Sequence, residues 1–130
     1  MADYLDTSAL VKLVAAEPET VPLRAWLGSR SGEATSSDLA RTELMRVVRR
    51  AAPDRLERAR LVLDSVILIA LSTDTFEEAG RLAPVPMRSL DALHLAAALR
   101  LGDDLDSVVT YDRRLADAVR LNGVPAVAPA

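Results

Sequence analysis

Val66-Ile67-Leu68-Ile69-Ala70-Leu71 is an unbroken apolar run, with no polar residue alternating into it. A strand that buries only one face alternates apolar and polar residues, whereas a strand covered by helices on both faces need not. The run is far too short to span a bilayer. It therefore predicts a strand sandwiched between helical layers. Working outward, shorter strand signals occur at Asp3–Leu5, Ala34–Ser36, Ser107–Tyr111 and Val124–Val127. Helical patterns fill the intervals at Ser8–Ala16, Glu19–Gly28, Asp38–Ala52, Asp54–Leu63, Asp74–Leu82, Ser89–Leu101 and Arg113–Leu121. Pro22 is tolerable in a first turn. Ala40, Leu44, Val47, Val48 and Ala51 form a helical stripe. Asp54, after Pro53, is a candidate N-cap, and Asn122-Gly123 is a helix-closing pair. Strands alternating with helices imply an α/β fold, with a largely parallel sheet of four to five strands and helices on both faces.

The chain has 130 residues, enough for a single domain spanning 1–130. The most linker-like stretch, Ala83–Ser89 with Pro84 and Pro86, is too short to separate two. Half of the residues are apolar and only 3% aromatic, so the core must be built from Leu, Val, Ile and Ala. Few aromatics argue against a protein that binds single strands by base stacking. A net charge of −3 argues against a broad basic footprint. Lys12 is the only lysine, and the other basic residues are arginines, which suit bidentate phosphate contacts, although a GC-rich genome would also favour arginine codons and is the simpler reason. The absence of cysteine excludes disulfides, thiolate metal sites and cysteine nucleophiles. No basic segment followed by an apolar one marks the N-terminus. The expectation is a soluble, cytoplasmic protein without a membrane segment.

In an α/β sheet, ligands bind beyond the carboxyl ends of the strands. Asp6 follows the first strand in Tyr4-Leu5-Asp6-Thr7-Ser8-Ala9-Leu10. Asp112 follows the fourth in Val108-Val109-Thr110-Tyr111-Asp112. Helix capping is a sufficient reason for either acid alone, but a ligand site requires the recurrence and capping does not. Glu43 lies roughly 85° from the centre of its helix's apolar stripe, on the rim. Arg46 and Arg50 share nearly the same face, so a surface Glu–Arg pair is the simpler reading. Asp91 lies in a first helical turn, where the dipole favours an acid. His94, three residues on, sits on the stripe of Leu90, Ala97 and Leu101, the setting of a hydrogen-bonded core histidine. Four gathered carboxylates would repel unless cations compensated them. With no cysteine and one histidine, the hard cations Mg²⁺ or Mn²⁺ are the natural occupants. Such ions activate water and neutralise a phosphodiester, which points to a nucleic-acid backbone.

The order and setting of these acids resemble the PIN-domain family, and the whole chain is similar to the VapC-type toxins of prokaryotic toxin–antitoxin pairs. The resemblance rests on Tyr4-Leu5-Asp6-Thr7-Ser8-Ala9-Leu10-Val11-Lys12-Leu13, Ala40-Arg41-Thr42-Glu43-Leu44, Leu90-Asp91-Ala92-Leu93-His94-Leu95-Ala96-Ala97-Ala98 and Val109-Thr110-Tyr111-Asp112-Arg113-Arg114-Leu115. It implies a three-layer sandwich with strand order 3-2-1-4-5. It also implies Mg²⁺- or Mn²⁺-dependent endonucleolytic cleavage of RNA, often tRNA or rRNA, by a homodimer restrained by a VapB-type antitoxin. The family's invariant acids map onto Asp6, Glu43, Asp91 and Asp112, and its hydroxyl positions onto Ser8 and Thr110. Asp117 is a possible extra acid.

On this reading Asp6, Glu43, Asp91 and Asp112 gather one or two ions, with Asp6, Asp91 and Asp112 as ligands directly or through water and Glu43 holding a metal-bound water that attacks. Ser8 and Thr110 orient a water or a carboxylate. Arg46, Arg50, Arg113 and Arg114 are candidates for phosphate contacts around the site. A PIN-type nuclease acting on DNA, and a silent RNA-binding or scaffold member of the fold, are the alternatives, although none of the four acids is missing. A phosphoryl-accepting receiver module fits poorly, since Asp3 is wrongly spaced from Asp6 and no lysine follows Lys12. Trp26 is left open between core and interface.

Overall fold

A computed structural model describes all 130 residues. In chain order the elements are β1 (Ala2–Leu5), α1 (Thr7–Val14), α2 (Thr20–Ser29), β2 (Glu33–Ser37), α3 (Leu39–Ala51), α4 (Leu56–Ser65), β3 (Ile67–Ile69), α5 (Thr73–Ala79), α6 (Ser89–Leu99), β4 (Leu105–Val109), α7 (Arg113–Leu121) and β5 (Ala126–Val127). The five strands form one all-parallel sheet in the order β3-β2-β1-β4-β5, as the resemblance implies.

Strand periodicity divides the core into two layers. Tyr4 pairs with Val108 and Leu5 with Val109, and neighbours along a strand point to opposite faces. Leu5 and Val109 pack with Ala9, Leu10 and Val14 of α1, Leu23 of α2, Ala40, Leu44 and Val48 of α3, and Ala59, Val62 and Leu63 of α4. Tyr4 and Val108 pack on the other face with Leu95, Ala97 and Ala98 of α6 and Leu115, Ala118 and Val119 of α7. The sheet is thus the middle of three layers.

Several sequence expectations need correction. The run Val66–Leu71 contributes only three paired residues, and Ile67 is 48% exposed rather than covered, at the sheet edge where the order 3-2-1-4-5 puts the third strand. An apolar run does not distinguish a central strand from an edge strand. Conversely, β2 is interior although it ends Thr35-Ser36-Ser37, all buried. Its hydroxyls are satisfied internally: Ser36 Oγ donates to the Leu5 carbonyl at 2.7 Å. Asp54 caps nothing, because Pro53–Arg55 form a 3-10 turn and α4 begins at Leu56. The helix expected over Asp74–Leu82 starts after Ser72, whose hydroxyl accepts from the Thr75 N–H, and stops at Ala79. Ala51 is exposed at the end of α3 rather than on its buried stripe. Gly123 does adopt the left-handed conformation (φ 81°) just after α7.

At the amino end of the sheet, Asp3 is buried at 1% exposure. It accepts from Arg30 Nε and Nη2 at 3.0 and 3.2 Å and from Ser107 Oγ at 2.7 Å. The pairing and hydrogen bonds compensate the burial of its charge. The Arg30 guanidinium lies 5.0 Å over the Trp26 ring, which packs partly buried against the first core layer.

Candidate active site

The opposite end of the sheet carries the chemistry. β1 continues into α1 on one face and β4 into α7 on the other, so a crevice opens where the two neighbouring strands diverge. Asp6 is the N-cap of α1 and is 4% exposed. Its Oδ1 accepts from Ser8 Oγ at 2.6 Å and the Ala9 N–H at 3.0 Å, and its Oδ2 accepts from Thr110 Oγ1 at 2.6 Å. The same two hydroxyls accept in turn from the far side of the crevice: Ser8 Oγ from the Tyr111 N–H at 2.9 Å, and Thr110 Oγ1 from the Asp112 N–H at 3.1 Å. Ser8 and Thr110 therefore knit the ends of β1 and β4 together and orient the Asp6 carboxylate. Burial pushes the Asp6 pKa up despite these donors.

Asp112 caps α7. Its Oδ1 accepts from the Arg114 and Leu115 N–H groups at 2.9 and 3.4 Å, and its second oxygen has no protein donor. Capping and site formation are thus two roles of the same acids. Asp91, in the first turn of α6, is half-buried. Burial raises its pKa, and the negative charges of Asp112 and Asp6 raise it further.

Glu43 enters from α3. Its Oε1 accepts from Thr7 Oγ1 at 2.7 Å and from His94 Nε2 at 2.6 Å. A carboxylate can only accept, so Nε2 carries a proton. His94 Nδ1 lies 2.8 Å from the Tyr4 hydroxyl, which donates to Ser37 Oγ at 2.9 Å. Burial pushes the Glu43 pKa up, but the hydrogen bond and charge of His94, with the Thr7 hydroxyl, outweigh it and hold the group below its ordinary value. The expected Glu–Arg surface pair is not formed. His94 is buried and hydrogen-bonded, as its stripe suggested, but it also grips a site carboxylate.

Asp6, Glu43, Asp91 and Asp112 all line one cleft of about 400 Å³, with Thr7, Ser8, His94, Lys12 and Tyr111. Lys12 is held by Glu17 and Glu19 at 2.9 and 3.0 Å, and its ammonium lies 5.1 Å from the Tyr111 ring centre. Sequence reasoning gave Lys12 and Tyr111 no place here. Thr7 likewise had no assigned role, and here it donates to Glu43. No three of the acidic or histidine side chains close into a ready-made cage. The mutual repulsion of Asp91, Asp112 and Asp6, and the undonated second oxygen of Asp112, fit a hard cation between them.

The arginines divide. Arg113 lines an adjoining hollow of about 500 Å³ with Asp112, and Arg114 lines one of about 250 Å³ with Asp91 and Arg88. Asp117 borders both hollows but not the cleft, and its side chain is 81% exposed. Arg46 and Arg50 do not line the cleft itself; with Arg49 they line a separate hollow of about 440 Å³. Glu43's inward turn separates it from both.

Replacing Thr110 by Val removes one of three donors to Asp6 and the acceptor for the Asp112 N–H. The change should lower stability by about 1–3 kcal/mol, the usual effect of stripping a partner from buried polar groups. Urea unfolding of the two proteins checks this.

The PIN domain family model matches residues 4–121. The chain belongs to the PIN-domain family. Among curated PIN-domain relatives, Ribonuclease VapC47 of Mycobacterium tuberculosis is 45% identical over 130 residues, covering 97% of this chain and 96% of that protein. Ribonuclease VapC46 of the same species is 41% identical over 128 residues, covering 98% of each. Solved structures share the fold at lower identity. VapC20 of M. tuberculosis, described as a sarcin-ricin loop cleaving toxin, aligns with a TM-score of 0.75 at 15% identity, covering 98% of this chain and 99% of that one. A toxin–antitoxin complex from Klebsiella pneumoniae aligns with a TM-score of 0.71 at 20% identity, covering 98% of each chain. The β1–β4 crevice of this chain is thus the carboxyl-end cleft of a PIN domain.

Proposed function

We propose that this chain is an Mg²⁺- or Mn²⁺-dependent endoribonuclease and the toxin of a VapBC-type pair. The observation that carries the reading is the convergence of Asp6, Glu43, Asp91 and Asp112 on one cleft at the β1–β4 divergence. Ribonuclease names among relatives above 40% identity support it. Asp91 and Asp112, with Asp6 behind them, would hold the cation. When bound, the ion lowers the pKa of water and neutralises charge on the phosphodiester. Glu43, kept ionised by His94 and Thr7, orients the attacking water and accepts its proton. Water attacks phosphorus in line as the bond from phosphorus to the 3′ oxygen breaks, and the leaving 3′ oxygen takes a proton from solvent, giving a 3′-hydroxyl and a 5′-phosphate end. Ser8 and Thr110 act by holding Asp6 in place. Arg113 and Arg114 stand where they can meet phosphates beside the cleft. A homodimer, a VapB-type antitoxin partner, a structured cytoplasmic tRNA or rRNA target and a cytoplasmic location complete the proposal. No helix is long and apolar enough to cross a membrane.

The test is cleavage of total RNA and of matched DNA by the purified protein, with Mg²⁺, with Mn²⁺ and with EDTA, followed by mapping of the new ends. RNA cut only with divalent ion, at discrete sites bearing 5′-phosphates, is the expected result. Cleavage of DNA alone would move the chain to the DNA-directed alternative. Undiminished RNA cleavage in EDTA would remove the metal from the mechanism.

A further inference from the structure

Glu43's inward turn leaves arginines behind it without partners. Arg46 is three residues from Glu43 and Arg50 seven, the positions from which a helix neighbour would neutralise it. Glu43 instead gives its Oε1 to Thr7 and His94. The chain's arginine–carboxylate pairs belong to Arg30, Arg41, Arg55, Arg100 and Arg120. Arg46, Arg49 and Arg50 are exposed, and together they alone line a hollow of about 440 Å³. The negative end of the α3 dipole welcomes a cation in the last turn, at about 0.3–1 kcal/mol, which accounts for Arg49 or Arg50. It does not account for three unneutralised arginines facing a common space in a chain whose net charge is −3.

We propose that Arg46, Arg49 and Arg50 form a second anion site, which holds backbone phosphates of the RNA strand running away from the cleaved bond. The proposal rests on the nuclease reading for the identity of its ligand. Continuity along α3 supports that identity. Val47, which lies between Arg46 and Arg49 in the chain, lines the acidic cleft, so cleft and hollow lie on neighbouring turns of the same helix without sharing a lining residue. Arg50 is two turns, roughly 10 Å, beyond Glu43 along the helix axis. A strand whose scissile phosphate lies among the acids meets the arginines as it leaves over Val47. Guanidinium groups bind phosphate bidentately, without reading bases. The site therefore supplies affinity to a cleft that is itself acidic, and it favours substrates long enough to reach it.

The experiment measures binding of a labelled single-stranded RNA oligonucleotide in EDTA, where no cleavage is required, over a range of salt concentrations. Each phosphate contact contributes about 0.7 to the salt slope on single strands. The triple variant R46Q/R49Q/R50Q should lose about 2 from that slope and bind at least about tenfold more weakly at low salt. The triple lysine variant, which keeps the charges, should restore the slope, and a thermal melt of the glutamine protein matching the parent's shows that it is folded. An unchanged slope in the glutamine variant overturns the proposal. So does unchanged RNA binding together with lost binding of a polyglutamate peptide, which would assign the hollow to an acidic protein partner. Because binding is scored without turnover, a protein that binds RNA through these arginines but never cuts it would sink the nuclease reading and leave this site standing.

Discussion

Asp6→Asn and Asp91→Asn should each reduce divalent-dependent RNA cleavage by about a hundredfold to a thousandfold, while raising the melting temperature of the metal-free protein at neutral pH. The activity loss corresponds to about 3–4 kcal/mol of transition-state stabilisation, typical of removing one preorganised electrostatic group. Asparagine keeps the side chain's shape and, at position 6, an oxygen for Ser8 and Ala9; it loses the charge and the acceptor for the Thr110 hydroxyl. The stability gain follows from linkage. Both carboxyls have folded-state pKa values above their ordinary ones, through burial and, for Asp91, the charges of Asp112 and Asp6. A raised pKa contributes stability that is fully present below the unfolded pKa and lost as pH rises through the folded pKa. At neutral pH the ionised groups therefore oppose folding, and asparagine relieves that opposition. The advantage of the variants should vanish in acid, where the native carboxyls protonate. Cleavage assays paired with thermal melts in EDTA at neutral and acid pH check both halves. Active variants with lower melting points would remove these two acids from the site.

His94→Ala should cost about 3 kcal/mol of stability and most of the activity. The imidazole is 3% exposed, so its removal leaves a cavity among Tyr4, Glu43 and Thr7. It also strips a partner from the buried Tyr4 hydroxyl. Without the His94 donor, burial dominates and the Glu43 pKa rises. Glu43→Gln separates the two effects. It preserves the packing but not the charge, so it should lose as much activity for much less stability. Urea unfolding and cleavage rates on both proteins read the split. Equal stability losses would make Glu43 a packing residue.

The overall architecture was legible because α/β folds announce themselves by alternation, and the acids because two of them follow strands in the same way. What escaped was relational. The hydroxyl-rich Thr35-Ser36-Ser37 reads as a weak strand, yet it is central, because its side chains bond internally rather than to water. The strong run at Val66–Leu71 reads as a strand covered on both faces, yet only Ile67–Ile69 pair and Ile67 is half exposed. Glu43 reads as the partner of Arg46 or Arg50, because helix neighbours are visible in a sequence and a histidine 51 residues away is not. The three-residue spacing of Asp91 and His94 was the one available hint that the histidine faces the acids. Lys12 and Tyr111 reach the cleft only because α1 and the end of β4 flank the same crevice.

The two-residue strand β5 gives the tail of the chain an importance its bland sequence conceals. The Thr110 N–H donates to the Val127 carbonyl at 3.0 Å, and the Tyr111 hydroxyl to the Pro129 carbonyl at 2.7 Å. Residues 126–130 thus brace the segment that carries Thr110 and Asp112, although none of them bears a titratable side chain. A fusion joined tightly at Ala130 would pull on that brace, whereas one attached through Met1 would hang from the far rim of the sheet, beside Asp3 and Arg30.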